Sequence, residues 1–153
     1  MQTETKLNNA VVQAAVETLA MTTGQDLNIL PAQVCSQNRI ENGVAITVNL
    51  VGSIQGYIRL RFTEEAAKQT ASALMMGMPV EVLDEMSMSA LSELGNMISG
   101  GTATHLSEAG IVTDITTPSV TSGEITFETH TVAIPLESSE LNLSIDVSLD
   151  ACV

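Results

Sequence analysis

Aromatic side chains are almost missing from this sequence: there is no tryptophan, and Tyr57, Phe62 and Phe127 are the whole aromatic complement of 153 residues. A surface that stacks nucleobases is therefore poorly supplied, and the core has to be built from Val, Ile, Leu, Ala and eight Met. Positive charge is equally scarce. The five basic residues, Lys6, Arg39, Arg59, Arg61 and Lys68, all lie in the first 68 positions, and the net charge is −13. Such a chain repels phosphate backbones and anionic lipid, which argues against nucleic-acid and membrane-surface partners. Cys35 and Cys152 fit no metal or CxxC spacing, and His105 and His130 have no second ligand at helical separation, so no metal held by this chain is expected. The N-terminus lacks the basic and apolar regions of a signal peptide, and no run reaches the roughly 18 apolar residues of a membrane span. A soluble, reducing, cytoplasmic setting follows as the expectation.

What is present is a chain long enough for one domain with a substantial core, 44% hydrophobic. Residues 5–22 have helical spacing and stop at Gly24. Strand-like segments follow in "LNILPAQVCS", "GVAITVNLVG" and "GYIRLRF", the last two alternating and joined near Ser53 to Gly56. Thr63 reads as the N-cap of a helix that opens with two glutamates and ends at Gly77. A long helix is expected over about residues 83–109, closing at Gly110, and the β-branched remainder reads as strand, with a hairpin turn at "ESSE", 137–140. The order helix, strands, hairpin occurs twice, over about 5–62 and 83–150. The fold class expected is α+β, a single domain of duplicated helix-plus-antiparallel-strand units. Matching Gly24 to Gly110 sets Leu7 and Ala10 opposite Glu93 and Asn96.

The long helix divides into two sides. At 100° per residue, Leu91, Leu94, Ile98, His105 and Ala109 fall within about 40° of one direction, a stripe suited to the core. Ser89, Glu93, Asn96, Gly100 and Ala103 cluster opposite. Glu93 and Asn96 are thus neighbours on an outer surface among small residues, and Gly100 and Gly101 each cost a helix roughly 1 kcal/mol against alanine. A surface so bare suits close approach by another molecule, or close helix packing within the chain. His105 is expected to be partly buried and hydrogen-bonded rather than catalytic, and Met75, Met76, Met78, Met86 and Met88 to be adaptable packing around the turn between helices. The acidic second half, with twelve carboxylates and no Lys or Arg after position 68, is either a solvated face or one that meets a basic partner.

"ALSELGNMISG", with Ser89 four positions before Glu93 and Asn96 three after, resembles the S/D-xxx-E-xx-N motif of the CheC/CheX/FliY family of chemotaxis phosphatases. Pro118, 22 positions after Asn96, is similar to that family's downstream proline, and the likeness extends over nearly the whole chain, including "VNLVGSIQGYIRLRF" as the hairpin. CheC-like members carry the motif on both repeat helices and CheX-like members once; Leu7 and Ala10 place this chain with CheX. The resemblance implies a long exposed motif helix, a homodimer, and hydrolysis of the aspartyl phosphate on a CheY-type response-regulator receiver domain. Asn96 would orient the attacking water, Glu93 would dock to the receiver's lysine, and Ser89, Gly100 and Ala103 would form the contact surface. No cofactor would be held by this chain, with Mg²⁺ supplied by the receiver. A non-catalytic docking or adaptor module, or a structural subunit of a flagellar or receptor assembly, are the competing readings.

Overall fold

The computed structural model describes residues 2–34, 39–52, 54–127 and 131–149. Cys35, Cys152, His130 and Ser53 lie outside them. The elements, in order, are α1 (Gln2–Thr23), β1 (Asn28–Ile29), β2 (Gln33–Val34), β3 (Arg39–Gly52), β4 (Gly56–Thr63), α2 (Glu64–Leu74), α3 (Glu85–Glu108), β5 (Thr113–Ile115), β6 (Ser119–Thr126), β7 (Val132–Glu137) and β8 (Asn142–Leu149). The chain is an α+β domain: three helices cover one face of an eight-stranded antiparallel sheet.

Local chemistry sets the element ends. Thr63 accepts a hydrogen bond from the Ala66 amide at 3.1 Å and caps α2, and Asp84 does the same for α3 from Ser87 N at 2.9 Å. Helix α2 stops at Leu74, before the expected Gly77. Met75 is its C-cap, and Gly77, at φ +85°, returns its amide to the Ser72 carbonyl at 2.8 Å. The turn at "ESSE" is held by the Ser138 hydroxyl, which accepts from the amides of Glu140 and Leu141.

The strands alternate as a sheet with one apolar face must. Val44, Ile46, Val48 and Leu50 of β3, Ile58, Leu60 and Phe62 of β4, and Leu143, Ile145 and Val147 of β8 join the helices in one core. The other face carries a buried ion cluster. Asp146, fully buried, accepts from Arg59 Nε at 3.2 Å and Arg61 Nε at 2.8 Å, with the Phe127 ring 4.8 Å and 5.1 Å from the two guanidinium carbons.

The sheet order is β1-β7-β8-β4-β3-β5, with β2 also on β7 and β6 also on β3. From either edge the order runs from strands of one half to a hairpin of the other, although β6 has eight residues where β1 and β2 have two each. Each hairpin is thus flanked by strands that belong to the other half, so neither half has a sheet of its own.

The two long helices correspond in a register different from the one their glycine caps suggest. Leu7 and Ala10 are 0% and 4% exposed, whereas Glu93 and Asn96 are exposed, so these pairs are not equivalent. Burial matches one position along: Leu7, Val11, Ala15 and Leu19 correspond to Leu94, Ile98, Thr102 and Leu106, all buried. The helices also touch at the equivalent positions Ala14 and Gly101, where a methyl group built on Gly101 would lie 3.1 Å from Ala14 Cβ. The caps mislead because Gly24 follows Leu19 by five positions and Gly110 follows Leu106 by four. Lys6 and Asn9, both exposed, therefore stand where Glu93 and Asn96 stand.

Candidate functional site

Helix α3 buries Ser87, Leu91, Leu94, Gly95, Ile98, Thr102 and Leu106. The apolar stripe read from the sequence is thus correct at Leu91, Leu94 and Ile98, but His105 and Ala109 are only partly buried and Thr102 and Leu106 take the core positions. Thr102 is tolerated there because its hydroxyl donates to the Ile98 carbonyl at 2.8 Å. His105 lies 3.5 Å from Glu17 of α1 and 3.8 Å from Glu108, in reach of an ion pair when protonated.

Ser89, Glu93, Asn96, Gly100 and Ala103 are all exposed. The structure therefore brings together the five residues predicted from helical spacing, on one outward strip. Among the described residues, neither the Glu93 carboxylate nor the Asn96 carboxamide has an internal hydrogen bond or ion pair. Both ends of both side chains are available to something outside the chain. Gly100 faces open space: a methyl group built on it would meet nothing within 4 Å. This glycine does not serve packing within the chain, whereas Gly101, against Ala14, does.

Gly95 is a residue that sequence reasoning passed over. It lies between Glu93 and Asn96 on the inner side, and a methyl group built there would be 2.6 Å from Ile46 Cγ2 and 2.9 Å from Pro118 Cβ. Buried Pro118 is thereby pressed on the helix at the level of the polar pair, fixing α3 against β3 and the start of β6. The available signal was the glycine inside "ELGN" itself, since an interior helical glycine needs a packing or functional reason. The methionines also differ from expectation. Met76, Met78 and Met86 are 97%, 54% and 61% exposed, and Met88 is the one of the later pair packed on the core. The connection between α2 and α3 spans residues 75–84, with Met76 at φ +60°; it carries Met76 and Met78 on its outside, and Met86 faces outward from the first turn of α3.

Among the described residues a small void lies beneath the site. The void under α3, lined by Ile46, Gly95, Ile98 and Ile115 among others, holds about 10 Å³, near the minimum for a single water. Among the described residues no group of three or more His, Cys, Asp or Glu is placed to hold a metal ion, and no helix is long and apolar enough to cross a membrane. The arrangement is an exposed helical strip that presents a carboxylate and a carboxamide to solvent.

Comparison with known proteins gives concordant results. Residues 44–141 match the family model described as chemotaxis phosphatase CheX. A curated relative, the CheY-P phosphatase CheX of Thermotoga maritima, is 32% identical over 120 residues, covering 78% of this chain and 77% of its own. Among solved structures, CheX of Desulfovibrio desulfuricans superposes with a TM-score of 0.83 at 24% identity, covering 94% of this chain and 99% of that one. The CheX–CheY–BeF3–Mg²⁺ complex of Borrelia burgdorferi has a chain at TM-score 0.76 and 24% identity, covering 92% and 96%. Sequence motif, fold and matched length agree: the chain belongs to the CheX family of chemotaxis phosphatases.

Proposed function

We propose that this protein is a cytoplasmic phosphatase that hydrolyses the aspartyl phosphate of a CheY-type receiver domain, with Asn96 orienting the attacking water and Glu93 docking to the receiver's lysine. The observation that carries the reading is the unpaired, exposed Glu93–Asn96 pair on a helix clasped from behind at Gly95. The relatives supply its context: one is named a CheY-P phosphatase, and one structure holds CheX together with CheY, BeF3 and Mg²⁺.

The chemistry needs little from this chain. An acyl phosphate is already activated, and the receiver brings its own Mg²⁺ and lysine. Hydrolysis requires a water in line with the phosphorus–oxygen bond to be broken, and phosphoryl transfer depends chiefly on such positioning and on charge stabilisation. The Asn96 carboxamide oxygen accepts a hydrogen bond from that water without acting as a base. The water's oxygen bonds to phosphorus, the aspartate carboxylate leaves, and inorganic phosphate departs. Glu93, one helical turn away on the same strip, forms a charge-assisted contact with the receiver's lysine and sets the register of docking. Gly100, Ser89 and Ala103 keep the strip low enough to enter a shallow site. The acidic second half speeds encounter with a lysine-bearing partner, an effect that salt weakens. The proposal includes a homodimer, which analytical ultracentrifugation tests.

The deciding experiment follows phosphate decay on an isolated phosphorylated CheY-type receiver with Mg²⁺, in the presence of the native chain, Asn96→Ala or Glu93→Ala. Acceleration by the native chain that Asn96→Ala abolishes without loss of binding, and Glu93→Ala loses together with binding, supports both roles. Equal loss of affinity in both variants, with no native effect on decay, favours a docking module instead.

A further inference from the structure

The methionines that packing leaves outside gather around one end and one flank of α3. Of the ten large hydrophobic side chains exposed among the described residues, five lie between positions 76 and 97: Met76, Met78, Val82, Met86 and Met97. Packing of the helix does not require them. Entry into α3 is secured by Asp84 as N-cap and by Leu83 and Met88, which occupy the two positions of a hydrophobic staple and pack on the core. Met86, between those two in sequence, turns away from the core. Single exposed hydrophobic residues are ordinary, whereas a group aligned along one element and rimmed by polar residues marks an interaction surface.

Helical geometry relates this flank to the polar pair. At 100° per residue, Met86, Glu93 and Met97 fall within about 40° of one direction, Met97 about 6 Å beyond Glu93 along the helix axis and Met86 about 10 Å before it. Ala90, half-buried, lies between Met86 and Glu93 on that line, so no polar side chain interrupts it. Asn96 lies about 60° to the other side of Glu93, the side that Ser89 and Ala103 share. Glu93 thus divides the outward face into a bare flank with the carboxamide and an apolar flank with the methionines. Glu81 and Glu85, both exposed beside Val82 and Met86 in sequence, give the apolar flank an acidic rim.

We propose that Met86 and Met97 are the apolar half of the receiver-docking surface and select receivers that carry an apolar patch with a basic rim beside the active-site lysine. The inference rests on the assignment of Glu93 and Asn96 above, with which the methionine flank is continuous. A thioether chain adapts to an irregular apolar surface, and its contacts are the same before and after phosphate is lost. Binding of that uniform kind lowers KM and leaves kcat alone. Asn96 then acts on the water, Glu93 sets the register, and the methionines add the affinity that an exposed charge pair supplies poorly.

The test replaces both methionines by glutamine, which is similar in length and helix propensity, so that two exposed changes leave the fold intact. Toward a phosphorylated CheY-type receiver with Mg²⁺, Met86→Gln with Met97→Gln is expected to raise KM at least about tenfold and to hold kcat within about twofold, since partial burial of each methionine is worth several-fold in affinity. Calorimetric titration with a beryllium-fluoride-activated receiver should show the same loss, and Met21→Gln, exposed on α1, should show neither effect. A double variant with native KM and native affinity overturns the proposal while leaving Glu93 and Asn96 their roles. A fall in kcat at unchanged KM overturns it as well, because the methionines would then act on the reacting geometry. So does a double variant that sediments lighter than the native chain in analytical ultracentrifugation, which would mark the flank as a contact between two copies of this chain. Should the native chain bind receiver without speeding decay, the catalytic reading of α3 falls and calorimetry alone decides this one. A native chain that does neither removes both.

Discussion

Substituting Gly100 by leucine separates stability from function. A glycine inside a helix costs roughly 0.8–1.0 kcal/mol against alanine, and leucine is nearly as good a helix former as alanine. Because nothing stands within 4 Å of a methyl group built at Gly100, no clash opposes that gain. Gly100→Leu should therefore raise stability by about 0.5–1 kcal/mol, a few degrees at most in Tm for a chain of this length. Its side chain would project from the strip that carries Glu93 and Asn96. If a receiver has to approach the backbone there, the leucine holds the carboxamide away from the water, and a misplacement of about 1 Å can cost on the order of 10²-fold in rate. The expected result is a chain that melts higher in a thermal scan and loses at least about tenfold in kcat/KM toward a phosphorylated receiver. A Gly100→Leu chain that melts higher and keeps full activity would refute the argument that the bare strip serves close approach.

Gly95→Ala is expected to act in the opposite direction. The methyl group would sit 2.6 Å from Ile46 Cγ2 and 2.9 Å from Pro118 Cβ, so an overpacking cost of about 1–3 kcal/mol exceeds the propensity gain of about 1 kcal/mol. Stability and activity should fall together, read by urea denaturation and phosphate decay; a stabilised Gly95→Ala chain would show that Pro118 is not clasped on α3. Asp146→Ala strands buried Arg59 beside Arg61 and should destabilise by about 3–5 kcal/mol; a loss under about 1 kcal/mol, as for surface pairs, would show that water already reaches the cluster. Hydrogen bonds from the Ser87 amide and hydroxyl hold the Asp84 carboxyl below its ordinary pKa. Its folded value being the lower one, its contribution is fully present above the ordinary carboxylate value of about 3.9 and is lost as pH falls through the folded value. Acid titration followed by hydrogen exchange at the start of α3 should show that loss in the native chain and not in Asp84→Asn; matching profiles would mean that the cap is insensitive to charge.

Features governed by neighbours in sequence were legible before any coordinates. The Thr63 cap, the glutamates after it, the alternation of β3 and β4 and the outward strip of α3 each follow from residues a few positions apart. Contacts between distant segments were not. Pro118 belongs to the site because a glycine admits it, and nothing in the spacing from Asn96 says that it touches the inner side of the helix at Gly95. The pairing of Arg59 and Arg61 with Asp146 depends on β4 lying beside β8, a strand order that the repeated pattern leaves open. The comparison of α1 with α3 failed for a related reason. A capping glycine reports where a helix stops, whereas equivalence between packed helices is set by which side meets the core, and the two differ by one position here.

That one position alters how the charge of the molecule is understood. Four of its five basic residues have carboxylate partners: Arg39 with Glu124, Arg59 and Arg61 with Asp146, and Lys68 with Glu64. Lys6 is the exception among the described residues, and it holds on α1 the position that Glu93 holds on α3. The two helices touch at Ala14 and Gly101, but their strips differ in shape, since Gln2, Gln13 and Val16 stand where Ser89, Gly100 and Ala103 leave α3 bare. Charge adds to that difference. A carboxylate on one strip attracts a lysine-bearing partner and an ammonium on the other repels it, so a near-symmetric scaffold acquires a single productive orientation. Specificity of this kind requires no change in the core, which is why it is carried by an exposed residue that packing leaves free to vary.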